Sequence, residues 1–86
     1  MLDNIDEASQ RAHEAAQIEA ATAAVGEKII WETETASGYV VATKEGTTAS
    51  GRTCREFQQT VTIGGKEETA YGTACLQDDG SWKMQA

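Results

Sequence analysis

The spacing of apolar positions changes period once along this chain. Before Gly26 they recur at helical intervals, and after it they alternate or run in short β-type blocks. The first part predicts a helix over about residues 3–25. Asp3 or Asn4 can cap it, with Asp6 or Glu7 three residues later, and the acids crowd the first turns, where the helix dipole favours them. Alanines at 8, 12, 15, 16, 20, 21, 23 and 24 raise helix propensity. Ile5, Ala8, Ala12, Ala15 and Ala16 form one stripe at helical spacing, which is the face expected to dock, although alanine buries little area. Gly26 suits the position just past the helix end.

From Glu27 the pattern predicts strands. Lys28 to Thr33 is the first, Thr35 to Gly38 a turn, and Tyr39 to Thr43 the second; the small, polar stretch from Lys44 to Gly51 reads as a connecting loop. Two long runs then flank Gly64-Gly65, a strong hairpin signal. Asp79-Gly80 is a second two-residue turn signal, and Ser81 to Gln85 returns as a short fifth strand. The expected fold class is α+β: an N-terminal helix packed on an antiparallel meander of four to five strands, one domain over residues 1–86 with its sheet at about 27–85.

The hairpin register carries more. Counting partners outward from Gly64-Gly65 places Cys54 directly opposite Cys75. The pair falls on a non-hydrogen-bonded site, where Cα atoms lie about 4.5 Å apart, within the roughly 4.4–6.8 Å that a disulfide tolerates. A redox switch or half a metal site is the alternative, but two thiolates with a single distant histidine, His13, make a poor zinc site. The same register sorts the faces. Phe57, Val61, Ile63, Ala70, Ala74 and Leu76 share one, and Cys54, Tyr71 and Cys75 the other. A two-residue Asp79-Gly80 turn sets Met84 opposite Cys75 and Trp82 opposite Gln77. Tyr71, Trp82 and Met84 then form a candidate interaction face on the cysteine side, unless the 44–51 loop and the termini cover it. A bulge at Gly72 would swap the faces beyond it.

The chain has 86 residues, fourteen acids against seven bases, and a net charge of −7. That balance opposes nonspecific nucleic-acid binding and anionic membrane surfaces. No apolar run reaches the ~18 residues of a membrane span, and no signal peptide is visible. A bondable cysteine pair favours an oxidising compartment, which implies a removed leader. Catalytic chemistry finds little support. His13, among Arg11, Glu14 and Gln17, reads as solvated; Glu67-Glu68 and Asp78-Asp79 are neighbours that point to opposite faces; Arg52, Arg55 and Lys83 make a small basic spot. No catalytic, cofactor-binding or metal-ligating residue is expected, and the chain is not expected to be an enzyme.

One long signature remains. Gly51-Arg52-Thr53-Cys54-Arg55-Glu56-Phe57-Gln58-Gln59-Thr60-Val61-Thr62-Ile63-Gly64-Gly65-Lys66, continued by Ala70-Tyr71-Gly72-Thr73-Ala74-Cys75-Leu76-Gln77 and Asp79-Gly80-Ser81-Trp82, resembles the proteobacterial 17-kDa surface antigen family of rickettsial-type outer-membrane lipoproteins. Residues Leu2 to Trp31 match more loosely. The resemblance implies a periplasmic or surface-facing module of a longer protein that bears a signal peptide, a lipidated cysteine and often a glycine-rich hydrophobic segment. It implies membrane attachment only through that lipid anchor, and an envelope protein or outer-membrane component as partner. Relatives carry an Asn-Pro-Asp-like turn where this chain has Glu32 to Gly38. The family brings no catalytic activity to carry over. The expected role is a non-enzymatic envelope domain with a structural or interaction function; the alternative is a periplasmic module that inhibits a protease or lysozyme.

Overall fold

The computed structural model describes residues 6–85. One helix, α1 (Glu7–Thr22), precedes five strands: β1 (Lys28–Glu32), β2 (Ala36–Thr47), β3 (Thr53–Ile63), β4 (Lys66–Leu76) and β5 (Trp82–Gln85). The strands form one antiparallel sheet in chain order, with β1 and β5 at its edges. The fold is α+β, a helix on one face of a meander, and the described part measures 42 × 22 × 20 Å.

The helix starts later than the sequence suggests. Asp6 is its cap, with its carboxylate accepting from the Ser9 amide at 2.8 Å. Thr35 donates its hydroxyl to the other carboxylate oxygen, so the cap also ties α1 to the β1–β2 connection. Asp3, Asn4 and Ile5 lie outside the described residues. At the far end, Gly26 does not close the helix. The cap is Ala23 in extended conformation, and Gly26 (φ 92°) serves the turn beyond it, donating its amide to the Ala42 carbonyl at 2.8 Å. The last carbonyls of α1 go instead to Arg55, whose guanidinium donates to Ala20 (3.0 Å) and to Ala23. A cation at this end also suits the helix dipole.

The docking face of α1 coincides with the alanine stripe only at Ala12 and Ala16. Ser9, His13, Ala16 and Ala20 are buried, whereas Ala8 and Ala15 are exposed. They meet Ile29 and Trp31 of β1 and Ala36, Val40 and Ala42 of β2, in a core that also takes in Phe57, Val61 and Ala74. Trp31 needs room that only a missing side chain provides. It pairs with Gly38, where an added Cβ would lie 2.9 Å from the indole and 2.2 Å from the Thr60 carbonyl oxygen.

Three hairpin loops set the register of the rest. Gly64 and Gly65 both have positive φ (57° and 81°), as a two-residue loop of the favoured hand requires. Cys54 therefore pairs with Cys75, their Cα atoms are 4.0 Å apart, and they form a disulfide. No bulge occurs at Gly72, which pairs with Phe57. The irregularity lies in β2, between Ala42 and Lys44. There Thr43 is the extra residue, and its hydroxyl donates to the Glu56 carbonyl at 3.2 Å. The insertion swaps faces, so Glu45 rather than Lys44 stands beside Arg55. Half of the stretch expected as a 44–51 loop is strand: residues 44–47 run in the sheet, and the loop is only Ala49-Ser50-Gly51, closed by Thr48 and Arg52. That hairpin and the β4–β5 hairpin share one design, a turn followed by a glycine at positive φ.

Candidate interaction groove

The β4–β5 connection decides which aromatic residues share a surface. It is Asp78-Asp79-Gly80, not Asp79-Gly80: the Gln77 amide donates to the Ser81 carbonyl at 2.7 Å, and the Gly80 amide returns to the Gln77 carbonyl. Asp79 holds the loop by accepting from both the amide and the hydroxyl of Ser81, and those bonds pull its carboxyl below the usual carboxylate range. One extra loop residue moves every side chain of β5 to the other face. Met84 thus pairs with Ala74 and Trp82 with Leu76. The face proposed from sequence does not exist as a unit. Trp82 and Met84 lie on the helix side, while Tyr71 stays on the cysteine side, 76% exposed.

On the helix side α1 packs against β1 and β2, Phe57, Val61 and Ala74 are buried in the same core, and the opening lies toward β5. The result is a groove of about 580 Å³ between α1 and β5. Phe57 and Ala74 form its floor, Trp82 and Met84 one wall, Ile18 and Thr22 the other. Ile18 is 73% exposed and Met84 45%, although both border buried apolar residues. Gly72 lies beneath the Met84 methyl, where a Cβ would come within 2.9 Å. Glu19 is the one charged residue lining the groove. Lys83, between Trp82 and Met84, pairs with Cys75 on the opposite face.

A polar seam runs from the groove under the helix. Gln17 and Gln59 line the groove and bond to each other; the Gln17 amide also approaches His13 Nε2 at 3.3 Å. His13 is not solvated but 1% exposed, and its ring meets Trp31 edge-on with centroids 5.8 Å apart. Burial lowers its pKa, against weaker opposing pulls from Gln59 and Glu14. His13 Nδ1 and Trp31 Nε1 are buried without a hydrogen-bond partner. A sequence signal for this seam existed: in the hairpin register Gln59 faces the helix, and an inward glutamine demands a polar partner. Ser9, His13, Ala16 and Ala20 also recur at helical spacing, but the alanine stripe looks more apolar.

The cysteine side is self-contained by comparison. Gln58 donates to the Tyr39 hydroxyl at 3.1 Å, the hydroxyls of Thr60 and Thr69 are 3.1 Å apart, and Lys28 Nζ sits 4.6 Å from the Tyr39 ring centroid. Residues 44–47, being in the sheet, do not fold over this side. The basic spot dissolves. Arg55 is bound to α1 and Glu45, and Arg52 donates to the Leu76 carbonyl at 2.7 Å and pairs with Asp78. Among the described residues no group of three or more histidine, cysteine or acidic side chains could hold a metal ion. No described helix is long and apolar enough to cross a membrane.

A family model described as 17 kDa outer membrane surface antigen matches residues 19–83. The 17 kDa surface antigen of Rickettsia bellii is 41% identical over 78 residues, which cover 88% of this chain and 45% of that protein. Proteins of the same name from Rickettsia conorii and Rickettsia rickettsii are 51% identical over 47 residues, 55% of this chain and 30% of theirs. The chain spans less than half the length of these curated relatives. No solved structure matches it significantly.

Proposed function

Because this chain belongs to the 17 kDa outer membrane surface antigen family, we propose that it is a non-enzymatic binding module of the cell envelope, carried by a longer outer-membrane lipoprotein. The observation that supports this reading is the open groove. A small domain that must bury most of its apolar surface leaves Ile18 and Met84 uncovered beside Phe57 and Trp82. Four titratable groups that chemistry could use have structural tasks. His13 is sealed under α1, Asp6 and Asp79 hold a cap and a loop, and Arg55 closes the helix. The stapled hairpin keeps the groove floor fixed.

Chemical crosslinking of the full-length protein in its native envelope tests this. The expected adduct joins it to an outer-membrane component or another envelope protein. Adducts to a soluble periplasmic protease or lysozyme alone, with loss of that enzyme's activity on binding, would replace this reading with inhibition. Turnover of an envelope substrate by the purified domain would refute the non-enzymatic assignment.

A further inference from the structure

We propose that the groove accepts a cationic amphipathic helix, which completes the layer that α1 begins. The inference deepens the binding-module reading and rests on it. Helix α1 occupies part of one sheet face, over β1 and β2. The groove runs between α1 and β5, beside an existing helix. It offers what a second helix packs against: Phe57 and Ala74 below, Trp82 and Met84 on one side, and Ala15, Ile18 and Thr22 on the other. Those three α1 residues follow the i, i+3, i+7 spacing of a helix contact stripe. Ala15, unlike Ala12 and Ala16 of the same alanine stripe, is left exposed by the sheet.

Charge selects the occupant. No lysine or arginine lines the groove, and Glu19 does. Glu14, exposed, stands one turn before Ile18, and Asp79 stands at the end formed by Gly80 and Ser81, next to Asp78, which Arg52 pairs. α1 carries no lysine and one arginine, Arg11, already paired with Glu7, and its histidine, His13, is buried. The chain as a whole carries −7. A helix with apolar residues at i, i+3, i+4 and i+7 and lysines along its borders meets both the floor and the rim. A second copy of this chain would bring acid against acid.

The test is a titration of the 86-residue chain with a synthetic 18-residue helix of leucines on one face and lysines on the other. The control has every lysine replaced by glutamate. The lysine peptide should bind saturably at one per chain, and the glutamate peptide about ten-fold more weakly or worse. Ile18→Ser and Met84→Ser, both at exposed positions, should each weaken the lysine peptide about ten-fold and leave the melting curve in place. Glu14→Gln with Glu19→Gln should weaken it several-fold and flatten its salt dependence. Equal binding of both peptides, binding indifferent to Ile18 and Met84, or no saturable binding would each overturn the proposal. So would a dimer, seen by sedimentation, that Ile18→Ser breaks. If the titration fails while envelope crosslinks persist, the binding-module reading stands and only the cationic helix is withdrawn.

Discussion

Replacing Arg55 by methionine removes one guanidinium and keeps its apolar stem. The side chain is 11% exposed, and it donates to the carbonyls of Ala20 and Ala23 and, at 2.6 Å, to Glu45 Oε1. Hydrogen bonds from a charged group contribute about 1.5–3 kcal/mol each. One guanidinium serves three acceptors, so the contributions do not add. The Glu45 carboxylate is 45% exposed and can turn to water, which discounts its share. The two helix carbonyls are the larger loss, because they have no other cap. The expected cost is about 2–4 kcal/mol, or a fall in melting temperature of roughly 10–25 °C for a domain of this size. Urea unfolding gives the first number. Amide exchange locates it: the last turn of α1 should lose protection while β3 and β4 keep theirs relative to global unfolding. Glu45→Gln alone should cost under about 1 kcal/mol. A loss below about 0.5 kcal/mol in Arg55→Met, or exchange unchanged at residues 20–23, would refute the idea that Arg55 holds the helix end.

His13 makes stability depend on acid. Its folded pKa lies below the ordinary 6.5 because burial penalises the charged ring. Above that value both states are neutral and nothing changes; as pH falls through it, the unfolded chain takes up a proton that the folded chain resists, and stability drops. Urea midpoints measured from pH 7.5 to 4.5 should decline, and His13→Gln should flatten that decline. Asp6 and Asp79, whose carboxyls are held below 3.8 by their hydrogen bonds, lose their contribution only under more acidic conditions. Gly38→Ala places a methyl into the Thr60 carbonyl and the Trp31 ring, and should cost about 3 kcal/mol or more, with a blue- or red-shifted Trp31 emission marking the displaced indole. Opening the staple with Cys54→Ala and Cys75→Ala should cost about 2–4 kcal/mol by calorimetry, since the bond closes a loop across 21 positions of sequence.

The parts legible in the sequence are those fixed by local chemistry. Gly64-Gly65 allows only one tight loop, and two unbroken strands carry its register to Cys54 and Cys75. The helix, the meander and the inward set of Phe57, Val61 and Ala74 follow from the same rules. What escaped depended on single residues of offset. Asp79-Gly80 signals a turn equally well for a two- or three-residue loop, and the choice reverses the facing of Trp82 and Met84. The bulge at Thr43 has no glycine to mark it; it lets polar residues continue a strand as far as Thr47. The docking face of α1 was hidden because burial of Ser9 and His13 depends on Trp31 and Gln59, which are distant in sequence. The groove is legible in neither element alone, since it exists only where a helix is narrower than the sheet beneath it.

That groove is the central claim, and a photo-crosslinking amino acid placed in the full-length protein in its native envelope tests it most directly. Position 84 opens onto the groove and position 71 onto the opposite face. Crosslinks to a discrete partner from position 84, abolished by Ile18→Ser, with none from position 71, are the expected result. Crosslinks from position 71 alone would move the binding surface to the cysteine face and contradict the account.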